Sequence, residues 1–130
     1  MLDQKLREIH LNNFALACFR DVADGDYVAA RMNYRADLIR QALWSSQQAI
    51  EKYIKCLLLL CRIVWEKPNH ALLKRLAELE KHHPMQLGPE VRKFIEHIDA
   101  YGPDRYFTFP YFAGGMEILR LDQTVWEIRR

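Results

Sequence analysis

Histidines are the side chains of this chain best suited to move a proton near neutral pH, and four of its five fall in its second half: His70, His82, His83 and His97. An imidazole serves as general acid, general base or metal ligand. The spacing argues against a metal. Adjacent histidines such as His82 and His83 rarely ligate one ion together, and no cysteine or H-x(3)-H arrangement supports them. His70 reads as a capping or packing residue beside a helix start. Glu51, Lys52 and Lys55 could line a nucleotide-binding groove; the plainer reading is a solvated helix face, with Glu51 and Lys55 as a favourable i,i+4 pair. Arg105 precedes Tyr106, Phe107, Phe109, Tyr111 and Phe112. A guanidinium beside such rings suits a phosphate and stacked, unpaired bases. The same composition suits a segment folded on the core or a dimer interface, and that weighs more. The chain has no Gly-rich phosphate loop, no P-loop and no Ser/His/Asp order.

The elements that must hold these residues read as helices. Phe14, Ala17, Cys18 and Val22 fall at helical spacing from about Leu11, after a lead-in over residues 1–9. Gly25 interrupts the pattern, which continues to about Arg35, as one kinked helix or two. A long helix is expected from about Leu38 to Trp65. Ile50, Tyr53, Ile54, Leu57, Cys61 and Val64 form its apolar stripe, with Glu51, Lys55 and Arg62 on the other side. Leu57 to Leu60 widen that stripe, which marks a central helix packed on several sides. Asn69 fits the N-cap of a helix over His70 to about His82, with Leu72, Leu73, Leu76 and Leu79 buried. Pro89 fits the first turn of the next, which carries Val91, Phe94, Ile95 and Ile98 and stops at Tyr101-Gly102-Pro103-Asp104. A last helix after Gly114-Gly115 carries Ile118, Leu121, Val125 and Trp126.

Composition bounds what such a set of helices does. Its 130 residues suit one domain spanning residues 1–130, with a core of its own. A net charge of +2 sets up no whole-protein field that demands nucleic acid, though a local basic patch is compatible with it. The N-terminus lacks a signal-peptide apolar core, and the apolar run Cys56 to Cys61 is too short to span a bilayer. Cys18, Cys56 and Cys61 show no paired spacing, which suits buried free thiols in a reducing cytoplasm. The expected fold class is all-α: a compact antiparallel up-and-down bundle of four to six helices.

Two segments together resemble a known family. Gln47-Gln48-Ala49-Ile50-Glu51-Lys52-Tyr53-Ile54-Lys55-Cys56-Leu57-Leu58-Leu59-Leu60 resembles the QQAxEKxxKxLLL signature of the HEPN family. Ala23-Asp24-Gly25-Asp26-Tyr27-Val28-Ala29-Ala30-Arg31 resembles its AD-x-DY-x-AR pattern. Asn69-His70-Ala71-Leu72-Leu73 and Arg105-Tyr106 are similar to its HDL and RY segments, so the match covers about residues 23–130. The resemblance implies a helical bundle, usually a homodimer, that engages RNA or a nucleotide and needs no cofactor. It also implies, for many members, pairing with a nucleotidyltransferase-type partner protein in a toxin–antitoxin system.

Catalytic members of that family cleave RNA without metal, using an arginine and a histidine with four to six residues between them. Here the stretch after Arg105 brings Pro110, Tyr111 and Phe112 where the histidine is expected. A proline or a phenol does not replace an imidazole near neutral pH. Arg92 and His97 have the spacing with four residues between them, and Arg75 and His82 with six. On a regular helix an offset of five residues turns about 140°, so Arg92 and His97 diverge unless a second subunit completes the site. The expectation is therefore a binding module for RNA, a nucleotide or a partner protein, acting through Arg105, Tyr106, Lys52 and Lys55. The alternatives are an endoribonuclease toxin using Arg92 and His97, and a purely structural dimeric adaptor.

Overall fold

In a computed structural model, which describes residues 2–63, 72–83, 85, 87–101 and 116–129, the chain is an all-α bundle. The described helices are α1 (Leu2–Ala15), α2 (Asp21–Arg35), α3 (Ile39–Leu60), α4 (Leu72–His82), α5 (Pro89–Tyr101) and α6 (Met116–Arg129). A π-helical turn, Leu16–Arg20, joins α1 to α2, so residues 2–35 form one helical run.

Gly25 does not interrupt that run; it lies inside α2. A glycine costs about 1 kcal/mol in a helix, which the packing of α2 on its neighbours offsets. The irregularity sits instead at Leu16–Arg20, and its register explains it. Ala15, Ala23 and Ala30 are all fully buried. Ala23 and Ala30 are seven residues apart and share a face, whereas an eight-residue offset would turn Ala15 about 80° away. One extra residue in the π turn returns Ala15 to the buried face.

α3 is the central element. Ile50, Ile54 and Leu58 are fully buried and Tyr53 is nearly so. Around them pack Ala23, Ala30 and Tyr34 of α2, Leu72, Leu76 and Leu79 of α4, Val91, Phe94, Ile95 and Ile98 of α5, and Leu121, Val125 and Ile128 of α6. Each large apolar side chain buried this way stabilises the fold by about 1.5–3 kcal/mol.

The C-termini of α2 and α3 close by one device. Asp37 (φ 61°) and Arg62 (φ 56°) adopt the left-handed conformation. The amides of Asp37 and Leu38 donate to the carbonyls of Tyr34 and Asn33, and those of Arg62 and Ile63 to the carbonyls of Leu59 and Leu58. This is the paired bond pattern that normally uses glycine. It ends α3 at Leu60, earlier than the expected Trp65. Arg62 gains compensating bonds: its guanidinium donates to the Leu59 carbonyl and reaches Glu8 and Asn12, pinning α1.

The thiols differ from expectation: only Cys56 is buried, whereas Cys18 in the π turn and Cys61 at the α3 cap are exposed, and all three are free. Asp99 of α5 accepts a bond from the Leu72 amide at 2.7 Å, capping α4 from outside its own sequence. The proposed Asn69 cap, His70, Trp65 and the 102–115 segment lie outside the described residues. No described helix is long and apolar enough to cross a membrane.

Candidate functional site

Three helices bring their polar side chains to one seam. On α2, Asp24, Tyr27 and Arg31 recur at three- and four-residue steps and so share a face. On α6, Asp122, Val125, Trp126 and Arg129 do the same. α3 contributes Lys52 and Tyr53.

Asp24 is the hub. It accepts two bonds from Arg129, Nε at 2.9 Å and Nη2 at 2.8 Å, and a third from the Tyr53 hydroxyl. The Arg129 guanidinium holds the Asp24 carboxyl below the usual carboxylate range, more than burial raises it. Arg129 is pushed up in return, chiefly by its bonds to Asp24. Burial, and then the bond to Asp24, raises the Tyr53 phenol. A second node is Asp122, which accepts from the Tyr27 hydroxyl and from Arg31. Lys52 pairs with Asp26. These bonds tie α6 and α3 to α2 across sequence separations of 26 to 105 residues.

Between α2 and α6 lies a groove of about 460 Å³. Val28, Val125 and Trp126 supply its apolar wall; Asp24, Asp122 and Arg129 supply its polar edge.

The side chains singled out in the sequence fall in different places. Lys52 and Lys55 lie on α3, Lys52 held by Asp26 and Lys55 by Glu51 at 2.8 Å. The Glu51–Lys55 pair is not on a solvated face. Glu51 is only 4% exposed and also accepts from Gln47, because α3 is covered nearly all round. Arg105 and Tyr106 are outside the described residues.

Arg92 and His97 both lie on α5. Arg92 donates twice to Glu80 of α4, at 3.1 and 2.5 Å, and these bonds raise its pKa. His97 lies edge-on to Phe94, with ring centroids 6.4 Å apart. Burial pushes its imidazole down to about 4. At pH 7 such a ring is neutral and is a poor proton donor. Arg75 is buried beside Glu78 at 3.7 Å, whereas His82 is exposed. Among the described residues no three His, Cys, Asp or Glu side chains gather as a metal site.

The depressed His97 has a consequence for stability. Its folded value of about 4 lies below the unfolded value of about 6.5. Between those limits the unfolded chain takes the proton more readily. Stability is therefore expected to fall as pH drops from about 6.5 towards 4, and His97 adds no pH dependence above that range. Because part of the ring meets water, the effect is expected to be about 1–2 kcal/mol. Thermal melts at pH 7, 5.5 and 4.5 check it: His97→Gln, neutral throughout, should flatten this limb. An unchanged pH slope would refute the assignment.

Sequence spacing held the signal for the seam, since the motif on α2 carries Asp24, Asp26, Tyr27 and Arg31 on successive turns. It did not identify Asp122 and Arg129 as their partners.

A family model of the HEPN domain matches residues 15–128. No curated protein and no solved structure matches the chain.

Proposed function

Because the chain belongs to the HEPN domain family, whose members are nucleotide- and RNA-related modules, we propose that it is a dimeric binding module that does not cut RNA. One observation carries this reading: the arginine and histidine with the family's catalytic spacing are engaged elsewhere. Arg92 is clamped by Glu80, and His97 is held neutral against Phe94. A general acid for phosphodiester cleavage needs a pKa near the working pH. At the seam the Asp24 carboxyl, the Tyr27 and Tyr53 phenols and the Arg31 and Arg129 guanidinium groups each shift away from neutrality, which does not suit them to that role.

The proposed ligand is RNA or a nucleotide, bound through Arg105 and Tyr106. Lys52 and Lys55 contribute to the extent that they exchange Asp26 and Glu51 for phosphate. A protein partner of nucleotidyltransferase type is a further ligand the family allows.

The test is incubation with mixed cellular RNA in EDTA, read by retention of RNA on the protein at two salt concentrations and by RNA length on a denaturing gel. Retention is expected to weaken as salt rises, as backbone contacts do, with no shortening. RNA neither retained nor shortened would refute RNA binding and leave the adaptor role.

A further inference from the structure

The face formed by α2 and α6 exposes more apolar surface than the seam beneath it requires. Val28 and Met32, one turn apart on α2, are 54% and 65% exposed. Leu119 and Trp126, two turns apart on α6, are 55% and 66% exposed. The helices run antiparallel, because Arg129 meets Asp24 while Asp122 meets Arg31. The four side chains therefore flank one strip of surface that contains the groove of about 460 Å³. Gly25 lies on the same helix, and nothing stands within 4 Å of where its Cβ would be. A neighbouring helix can approach the α2 backbone closely there.

The charges select the occupant. Asp24, Asp122, Arg31 and Arg129 neutralise one another within the strip. An acidic or a basic partner finds no net field to steer it. A second copy presents the same neutral strip, with a protruding tryptophan beside a hole. A surface that carries both knob and hole is self-complementary under two-fold rotation.

We propose that the α2–α6 face is the homodimer surface of this chain, with Trp126 of each copy seated in the other's groove. The inference rests on the dimeric form proposed above and assigns it a location. Tryptophan seated in a pocket is among the side chains that carry most of the energy of an interface.

Sedimentation over a concentration series tests it, with wild type, Trp126→Ala and Val28→Glu. Both replaced side chains are surface groups, and matching thermal melts and circular dichroism would show that the variants fold. The expected result is a wild-type dimer whose dissociation constant rises at least tenfold in Trp126→Ala, and a monomeric Val28→Glu. A dimer unchanged in both folded variants would overturn the location while leaving the dimer itself standing. A wild type still monomeric at about 100 μM would overturn the dimeric form and this face together. If one variant fails to fold, Leu119→Glu takes its place on the same strip.

Discussion

Replacing Ile54 with alanine is expected to destabilise the protein by about 2–5 kcal/mol, the cost of a cavity at a site that cannot collapse. Ile54 is fully buried on α3, and α3 is the element on which the others pack. The bundle cannot shift inward at one helix without loosening its contacts to another. For a domain of this size that loss lowers the melting temperature by about 6–25 °C. Leu73→Ala is the comparison. Leu73 is 40% exposed on α4, and its removal should change stability by less than about 0.5 kcal/mol. A melt in which both variants behave alike would contradict the central place given to α3.

The second large effect is expected at Asp24. Asp24→Ala removes the acceptor of the nearly buried Tyr53 hydroxyl and of Arg129 at once. A buried donor left without a partner costs about 1–3 kcal/mol. The exposed ion pair adds at most about 1 kcal/mol. The expected order of loss in denaturant melts is Asp24→Ala first, at about 2–3 kcal/mol, then Tyr53→Phe, then Arg129→Ala. Tyr53→Phe is milder because it removes the donor and leaves Asp24 bound to Arg129. If Arg129→Ala cost as much as Asp24→Ala, the ion pair and not the buried hydroxyl would hold the seam. The contribution of Asp24 also has a pH sign. Its folded carboxyl releases the proton more readily than the unfolded one, so the stability it adds is full above the usual aspartate range. That stability is lost as pH falls through the lowered folded value.

The helices were legible because apolar spacing is periodic and local. The buried positions of α4 and α5 include Leu72, Leu76, Leu79, Val91, Phe94, Ile95 and Ile98, as their spacing places them, whereas Leu73 of α4 and Trp126 of α6, also expected in the core, are 40% and 66% exposed. The termini were less legible. Asp37 and Arg62 do the work that glycine usually signals, and the α4 cap comes from Asp99, 27 residues onward. The burial of Glu51 was hidden for a related reason. Its i,i+4 pairing with Lys55 is readable, but whether a helix face meets water depends on how many neighbours cover it.

The seam shows the same division. Asp24, Asp26, Tyr27, Arg31, Lys52 and Tyr53 stand inside the two family-like segments, and the fold joins those segments directly through Lys52 to Asp26 and Tyr53 to Asp24. Much of what makes these stretches recognisable is thus the chemistry that fastens α2 to α3. Their partners on α6 were not legible, because nothing in a single sequence pairs residue 24 with residue 129.

The most direct test of the account is the length of RNA after incubation with the purified protein in EDTA, beside folded His97→Ala and Arg92→Ala variants. Intact RNA is expected in all three samples, since Arg92 is tied to Glu80 of α4 and burial keeps the His97 imidazole neutral. Cleavage by the wild type that is lost in His97→Ala would contradict it and make the protein a metal-independent endoribonuclease.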